Sequence, residues 1–148
     1  MSPLSTDGAA RLFSIANAVA LSGWVLLAIA PRRPLARLVA GAAIPGLLAA
    51  TYTVLAITQL PSAHGGFGSL ADVASLFAAP GVLLAGWVHY LAFDLLIGAW
   101  EVRDAERRRV PRWIVVPCLF ATFMLGPAGL LLYVGVSRLA ARPAPVAA

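Results

Sequence analysis

Four stretches of the chain lack aspartate, glutamate, lysine and arginine for twenty residues or more: 12–31, 38–71, 73–93 and 113–137. A helix needs roughly 20 apolar residues to cross the hydrocarbon core of a bilayer. The pattern therefore predicts four transmembrane helices, at about 11–30, 36–59, 80–101 and 112–138. The connections are short, so residues 1–148 read as a single transmembrane domain. The expected fold is an all-α, four-transmembrane-helix bundle with no soluble module.

The connection between the second and third spans has a pattern of its own. Pro61-Ser62-Ala63-His64-Gly65-Gly66-Phe67-Gly68 reads as a flexible turn that leaves His64 in solvent. Ser69-Leu70-Ala71-Asp72 has the spacing of a capping box. Leu70, Val73, Ala74 and Phe77 follow at i, i+3, i+4 and i+7. A short amphipathic helix at about 69–78, lying in the membrane interface, is expected before the third span. Pro80 would open that span, where its missing N–H costs nothing.

Composition supports the membrane reading: 61% of the 148 residues are hydrophobic and 11% charged, outside the range of soluble domains. The net charge of +5 would suggest a nucleic-acid partner in a soluble protein. Here the arginines flank the spans, and no nucleic acid is expected. Arg32, Arg33 and Arg37 lie between spans one and two. Arg103, Arg107, Arg108, Arg109 and Arg112 lie between spans three and four, and no arginine lies between spans two and three. The positive-inside rule makes the two basic loops cytoplasmic and both termini external, with Arg138 and Arg142 pulling the other way. No basic region precedes the first span, and Pro31-Arg32-Arg33-Pro34 closes it like a stop-transfer sequence, so it is expected to be a retained helix. The lone Cys118 falls in the fourth span, which rules out an intramolecular disulfide and a thiolate metal cluster.

Polar groups deep in the spans are the candidate chemistry. Counting about 1.5 Å per residue from Pro80 puts His89 roughly 14 Å deep and Asp94 about 7 Å further. Asn17, the Thr51-Tyr52-Thr53 cluster and the Gly126-Pro127 break fall at a comparable depth in the other spans. An ionisable group at that depth costs about 2.5–3.5 kcal/mol, which points to proton chemistry or polar-ligand binding in a buried cavity. Hydrogen bonding between helices is the competing explanation, and for Asn17 and Thr51 the stronger one. Tyr90, Asp94, Ile97 and Glu101 form one stripe of the third span, and His89, Phe93, Leu96 and Trp100 another. His89 and Asp94 stand about 140° apart at 100° per residue, so one helix face cannot chelate a metal through both. Gly81, Gly86 and Gly98 are small enough to admit a neighbouring helix or a ligand. Trp87, Phe93 and Trp100 could line an aromatic slot, with Trp100 and Trp113 also suited to interfacial anchoring. The run 101–108 reads as a solvated helix end with self-compensating pairs such as Asp104 with Arg108. No phosphate-binding loop, His-x-x-x-His pair or Ser-His-Asp set is present, and no metal or cofactor is expected.

Three segments carry a family resemblance. Leu12-Phe13-Ser14-Ile15-Ala16-Asn17 with Gly23-Trp24 and Ala30-Pro31 resembles the start of the abscisic-acid-deficient-like family, the plant neoxanthin synthase type and its bacterial relatives. Gly86-Trp87-Val88-His89-Tyr90-Leu91-Ala92-Phe93-Asp94-Leu95 followed by Gly98 is similar to its central motif. Pro117-Cys118-Leu119 and Gly126-Pro127-Ala128-Gly129-Leu130 are similar to its last span. The absence of a plastid transit peptide, and Ala99-Trp100-Glu101 where plant members are expected to carry Arg-Trp, suggest a bacterial relative in the cytoplasmic membrane.

The resemblance implies carotenoid metabolism, and in plants the opening of a 5,6-epoxide to an allenic alcohol. That isomerisation needs an acid at oxygen and a base at carbon, with no redox cofactor. On this analogy Asp94 is the catalytic acid and His89 the base or orienting partner. Asn17 and Tyr52 bind ring oxygens, and Trp87, Tyr90, Phe93 and Trp100 contact the substrate. The expected partners are membrane lipids and a carotenoid or other isoprenoid, and a homo-oligomer is compatible with the pattern. Two alternatives stay open: a non-catalytic carotenoid- or lipid-binding protein that assists another enzyme, and a small proton-coupled transporter.

Overall fold

The computed structural model describes residues 4–140, and among them every regular element is helical. These are α1 (Thr6–Ile29), α2 (Pro34–Leu38), α3 (Ile44–Gln59), α4 (Leu70–Phe77), α5 (Pro80–Arg107), α6 (Arg112–Leu125) and α7 (Pro127–Ala140). A π-helical turn, Val39–Ala43, links α2 to α3, and a 3-10 turn, Leu60–Ser62, extends α3. The helices Thr6–Ile29, Pro34–Ser62 and Pro80–Arg107 are long and apolar enough to cross a membrane. Large apolar side chains such as Ile15, Ile29, Val54, Ile57 and Leu131 point outward. That surface suits acyl chains rather than water.

The described residues divide into two units, one of 4–22 with Ala43–Phe93, the other of Gly23–Ala42 with 94–140. In the first unit small residues, among them Ala16, Ala20, Ala85 and Ala92, are buried and let helix backbones approach. The buried Gln59 amide accepts the Leu4 N–H at 2.8 Å and lies against Gly81, while Phe77 lies against Gly86. The glycines of α5 thus admit neighbouring side chains. The capping box forms as expected: Ser69 Oγ accepts the Asp72 N–H at 3.1 Å and donates to the Asp72 carboxylate at 2.7 Å. The stripe of α4 differs from expectation. Leu76 is its buried apolar residue, while Leu70 is 86% exposed and Phe77 40%. The outward residues fit a helix that gives its apolar side to lipid rather than to the protein.

In the second unit Trp24 lies over Gly98 and meets Phe123 edge-on at 5.6 Å. Arg37 joins the Glu106 carboxylate and donates to the Pro31 carbonyl at 2.8 Å. Arg112 donates to the Ala28 carbonyl at 2.7 Å, satisfying one of the orphan acceptors at the end of α1.

The segment 112–138 does not form the single spanning helix expected of it. The chain breaks at Gly126, whose φ of +49° lies in the region that favours glycine. Pro127 starts a new helix, where it needs no N–H. Trp113 and Ile114 border the same groove as Leu139 and Ala140, and Gly129 meets Thr122. The pairing runs antiparallel, so α6 and α7 fold back on one another as a hairpin. Each leg has 14 residues, about 21 Å of helix, short of a ~30 Å hydrocarbon core.

Candidate functional site

Helix α5 carries the candidate chemistry on two stripes, as its spacing predicts. In the first unit Trp87 Nε1 donates to Asn17 Oδ1 at 3.3 Å. The Trp87 ring lies 5.3 Å from Phe13 and 5.4 Å from Tyr90. On the other stripe His89 stacks on Phe93, with ring centroids 4.6 Å apart, and meets Tyr52 edge-on at 5.2 Å. The structure therefore brings Asn17 to Trp87, which neighbours Tyr90, and Tyr52 to His89, which neighbours Phe93. Thr51 and Thr53 bond to the Leu47 and Ala49 carbonyls of their own helix. Asn17 Nδ2 likewise donates to Phe13 at 2.7 Å, which fixes the amide so that its oxygen accepts from Trp87.

These faces are open rather than enclosed. Trp87 is 39% exposed, Phe93 55%, and His89 is also exposed. A buried cavity around His89 was the expectation, and the structure differs for a simple reason. The packed face of α5 runs through Leu84, Val88, Leu91, Ala92, Leu95 and Ala99. His89 follows Val88 by about 100° and so falls on its flank.

In the second unit three acids of α5 meet the α6–α7 hairpin. The Asp94 carboxylate, half-buried, lies against the turn: both oxygens are 3.0 Å from where a Cβ would sit on Gly126. Seven residues on, Glu101 is 0% exposed and accepts the Thr122 hydroxyl on Oε1 at 2.7 Å. Its Oε2 has no hydrogen-bond partner among the described residues. Asp104 takes the Tyr133 hydroxyl at 2.8 Å and Arg108 at 2.6 Å, and Trp100 meets Tyr133 edge-on at 5.5 Å.

The Asp104–Arg108 pair matches the sequence, but the solvated helix end does not extend back to Glu101. The hairpin covers that carboxyl. Its seven-residue spacing from Asp94 was the available signal. Among the described residues no three His, Cys, Asp or Glu side chains come together as metal ligands.

Thr122→Val keeps the side-chain shape and removes the donor to Glu101. It is expected to destabilise the fold by about 1–3 kcal/mol, read as a lower unfolding midpoint in detergent by tryptophan fluorescence. An unchanged midpoint would mean that the buried carboxyl does not depend on this bond.

No curated protein and no solved structure matches the chain. A family model described as ABA4-like, ABA DEFICIENT 4-like, matches residues 11–133, which include the segments 12–17, 86–95 and 126–130 that carry the resemblance. On that match the chain belongs to the ABA DEFICIENT 4-like family.

Proposed function

We propose that this membrane protein is a cofactor-independent isomerase acting on a lipid-soluble carotenoid, with Asp94 of α5 as the proton donor. Family membership supports a link to carotenoid and abscisic-acid pathways. The observation that carries the reading is the stripe on α5. The Trp87 ring lies beside Phe13 and Tyr90, with the Asn17 amide within hydrogen-bond reach of Trp87. Asp94 follows Tyr90 at i+4 on the same stripe. A flat polyene can lie against open aromatic rings from the lipid side, with a polar end group presented to Asp94 further along the same helix.

In the epoxide-opening form of the reaction, Asp94 delivers a proton to oxygen as the carbon–oxygen bond breaks. The carboxylate so formed on Asp94 takes up the carbon-bound proton, which regenerates the acid, and the net change is an isomerisation. His89 stands about 140° from Asp94 around α5, so its part is orientation of Tyr52 and Phe93 rather than direct acid–base partnership.

In a carotenoid-accumulating host, Asp94→Asn is expected to abolish conversion while the purified protein still retains pigment. His89→Gln should lower conversion by a smaller factor, about tenfold or less, against the roughly 10²–10⁴-fold of a lost proton donor. Unchanged product from Asp94→Asn would overturn the catalytic assignment. A second reading, a carotenoid-binding protein that presents pigment to another enzyme, is favoured by the openness of the aromatic faces. Pigment retained by the wild type with no conversion by the purified protein would select it.

We also infer three membrane crossings with a hairpin that enters and leaves on one side. The N-terminus is external, and Arg32, Arg33, Arg37 and the arginines from Arg103 to Arg112 are cytoplasmic. The hairpin brings the end of α7 beside the start of α6, so Arg138 joins them. This replaces the external C-terminus expected from four spans. Arg142 lies outside the described residues.

A further inference from the structure

A cavity of about 550 Å³ in the second unit, lined from the end of α1, the α1–α2 connection, the end of α5 and the start of α6, is separate from the stripes described above. Its volume lies within the range of ligand pockets. Leu27, Val102, Val115 and Leu119 form apolar walls. Four arginines, Arg32, Arg37, Arg109 and Arg112, line it against a single acid, Glu106. Glu106 is engaged by Arg37, with Arg32 at 4.0 Å. Among the described residues no carboxylate lies within 4.0 Å of Arg109 or Arg112. Arg112 is held in place by the Ala28 carbonyl and keeps further N–H donors. An excess of positive charge beside apolar walls is complementary to an anionic head on an apolar tail.

Arg109 adds an independent observation. Its φ is +57°, the only positive value among described non-glycine residues. The Val110 N–H reaches the Ala105 carbonyl at 2.8 Å and the Arg109 N–H the Glu106 carbonyl at 3.2 Å, the two bonds of a Schellman cap. Glycine is the usual residue at that position. An arginine there accepts backbone strain that glycine would not carry while holding a guanidinium at the cavity.

We propose that this cavity is a binding site for one anionic phospholipid of the surrounding membrane. The phosphate meets Arg109 and Arg112, and the acyl chains run along the walls of Leu27, Val115 and Leu119. The site differs in chemistry from that of a neutral carotenoid and does not depend on isomerase activity.

The test is isothermal titration of the full chain in neutral detergent with short-chain phosphatidylglycerol, phosphatidylcholine and glycerol 3-phosphate. Phosphatidylglycerol should bind saturably, phosphatidylcholine at least tenfold more weakly, and glycerol 3-phosphate not detectably. Arg109→Gly and Arg112→Gln should each weaken phosphatidylglycerol about fivefold, the effect of one arginine at an anionic lipid. Arg109→Gly relieves the backbone, so its unfolding midpoint without added lipid should equal or exceed that of the wild type. A weakened affinity in that variant therefore reports a lost contact rather than a damaged fold. Equal binding of both lipids, full binding by glycerol 3-phosphate, or unchanged affinity in Arg109→Gly would each overturn the proposal.

Discussion

Replacing Gly129 with alanine is expected to abolish the folded protein. A Cβ at this position would lie 2.0 Å from the Thr122 amide nitrogen and 2.3 Å from its Cα. Both are backbone atoms and cannot rotate aside as a long side chain could. The hairpin would have to open, which would draw Thr122 away from Glu101 and leave a fully buried carboxyl without its donor. Overpacking combined with loss of a buried polar partner belongs to the few causes of single-residue losses above about 4 kcal/mol. Such a loss is a large fraction of the stability of an ordinary domain.

The measurement is the yield of monodisperse protein after detergent extraction, followed by size-exclusion chromatography. Gly135→Ala is the control, because Gly135 is in the same helix and a Cβ there meets nothing within 4 Å. It should leave the yield unchanged or improve it, since alanine is favoured over glycine in a helix by about 1 kcal/mol. If the two variants behave alike, the tight crossing of α6 and α7 is not what holds this end of the protein.

A C-terminal fusion should report the cytoplasmic side. Green fluorescent protein placed after the last residue is expected to fluoresce, and alkaline phosphatase in the same place to be inactive. Charge and length point the same way. Two 14-residue legs reach about 21 Å each and return the chain to the side it came from. Arg138 at the end of α7 then sits with Arg112 instead of opposing it, so the positive-inside preference acts in one direction on both. The result is close to all-or-none. Phosphatase activity with a dark green fluorescent protein would restore four crossings.

Much of this fold was legible because length and charge act locally. The expected spans 11–30, 36–59 and 80–101 correspond to Thr6–Ile29, Pro34–Ser62 and Pro80–Arg107. The 69–78 helix appears as Leu70–Phe77, with Ser69 as its cap. The hairpin was not legible in the same way. Residues 113–137 contain enough uncharged residues to cross a membrane, and hydropathy is indifferent to whether a helix continues or doubles back. The decision lies in Gly126, which adopts a positive φ, and Gly129, which permits backbone contact with Thr122. The Gly126-Pro127 break and the arginines after position 137, which sat awkwardly in a four-span scheme, were the contrary signs.

Of the candidate site, the placement of residues along α5 was legible. The two stripes of α5 follow from helical spacing; the Tyr52–His89 contact joins two residues singled out by depth, and the Asn17–Trp87 contact joins one singled out by depth to one named for an aromatic slot. Glu101 was misjudged because charge near a helix end ordinarily faces water. Only the tertiary position of Thr122 shows that it is enclosed. The exposure of His89 depends on which side of α5 is packed, a choice made by Val88, Leu91 and Leu95 together.

The fold-back of α6 and α7 also constrains how the protein is made. Neither leg is long enough to cross a bilayer alone, and the polar groups Thr122 and Tyr133 find their acceptors on α5. On the three-crossing topology proposed above, the two legs enter as a pair, after α5 is in place to receive them. The final stage of biogenesis would then be a docking event on a preassembled surface, not another translocation.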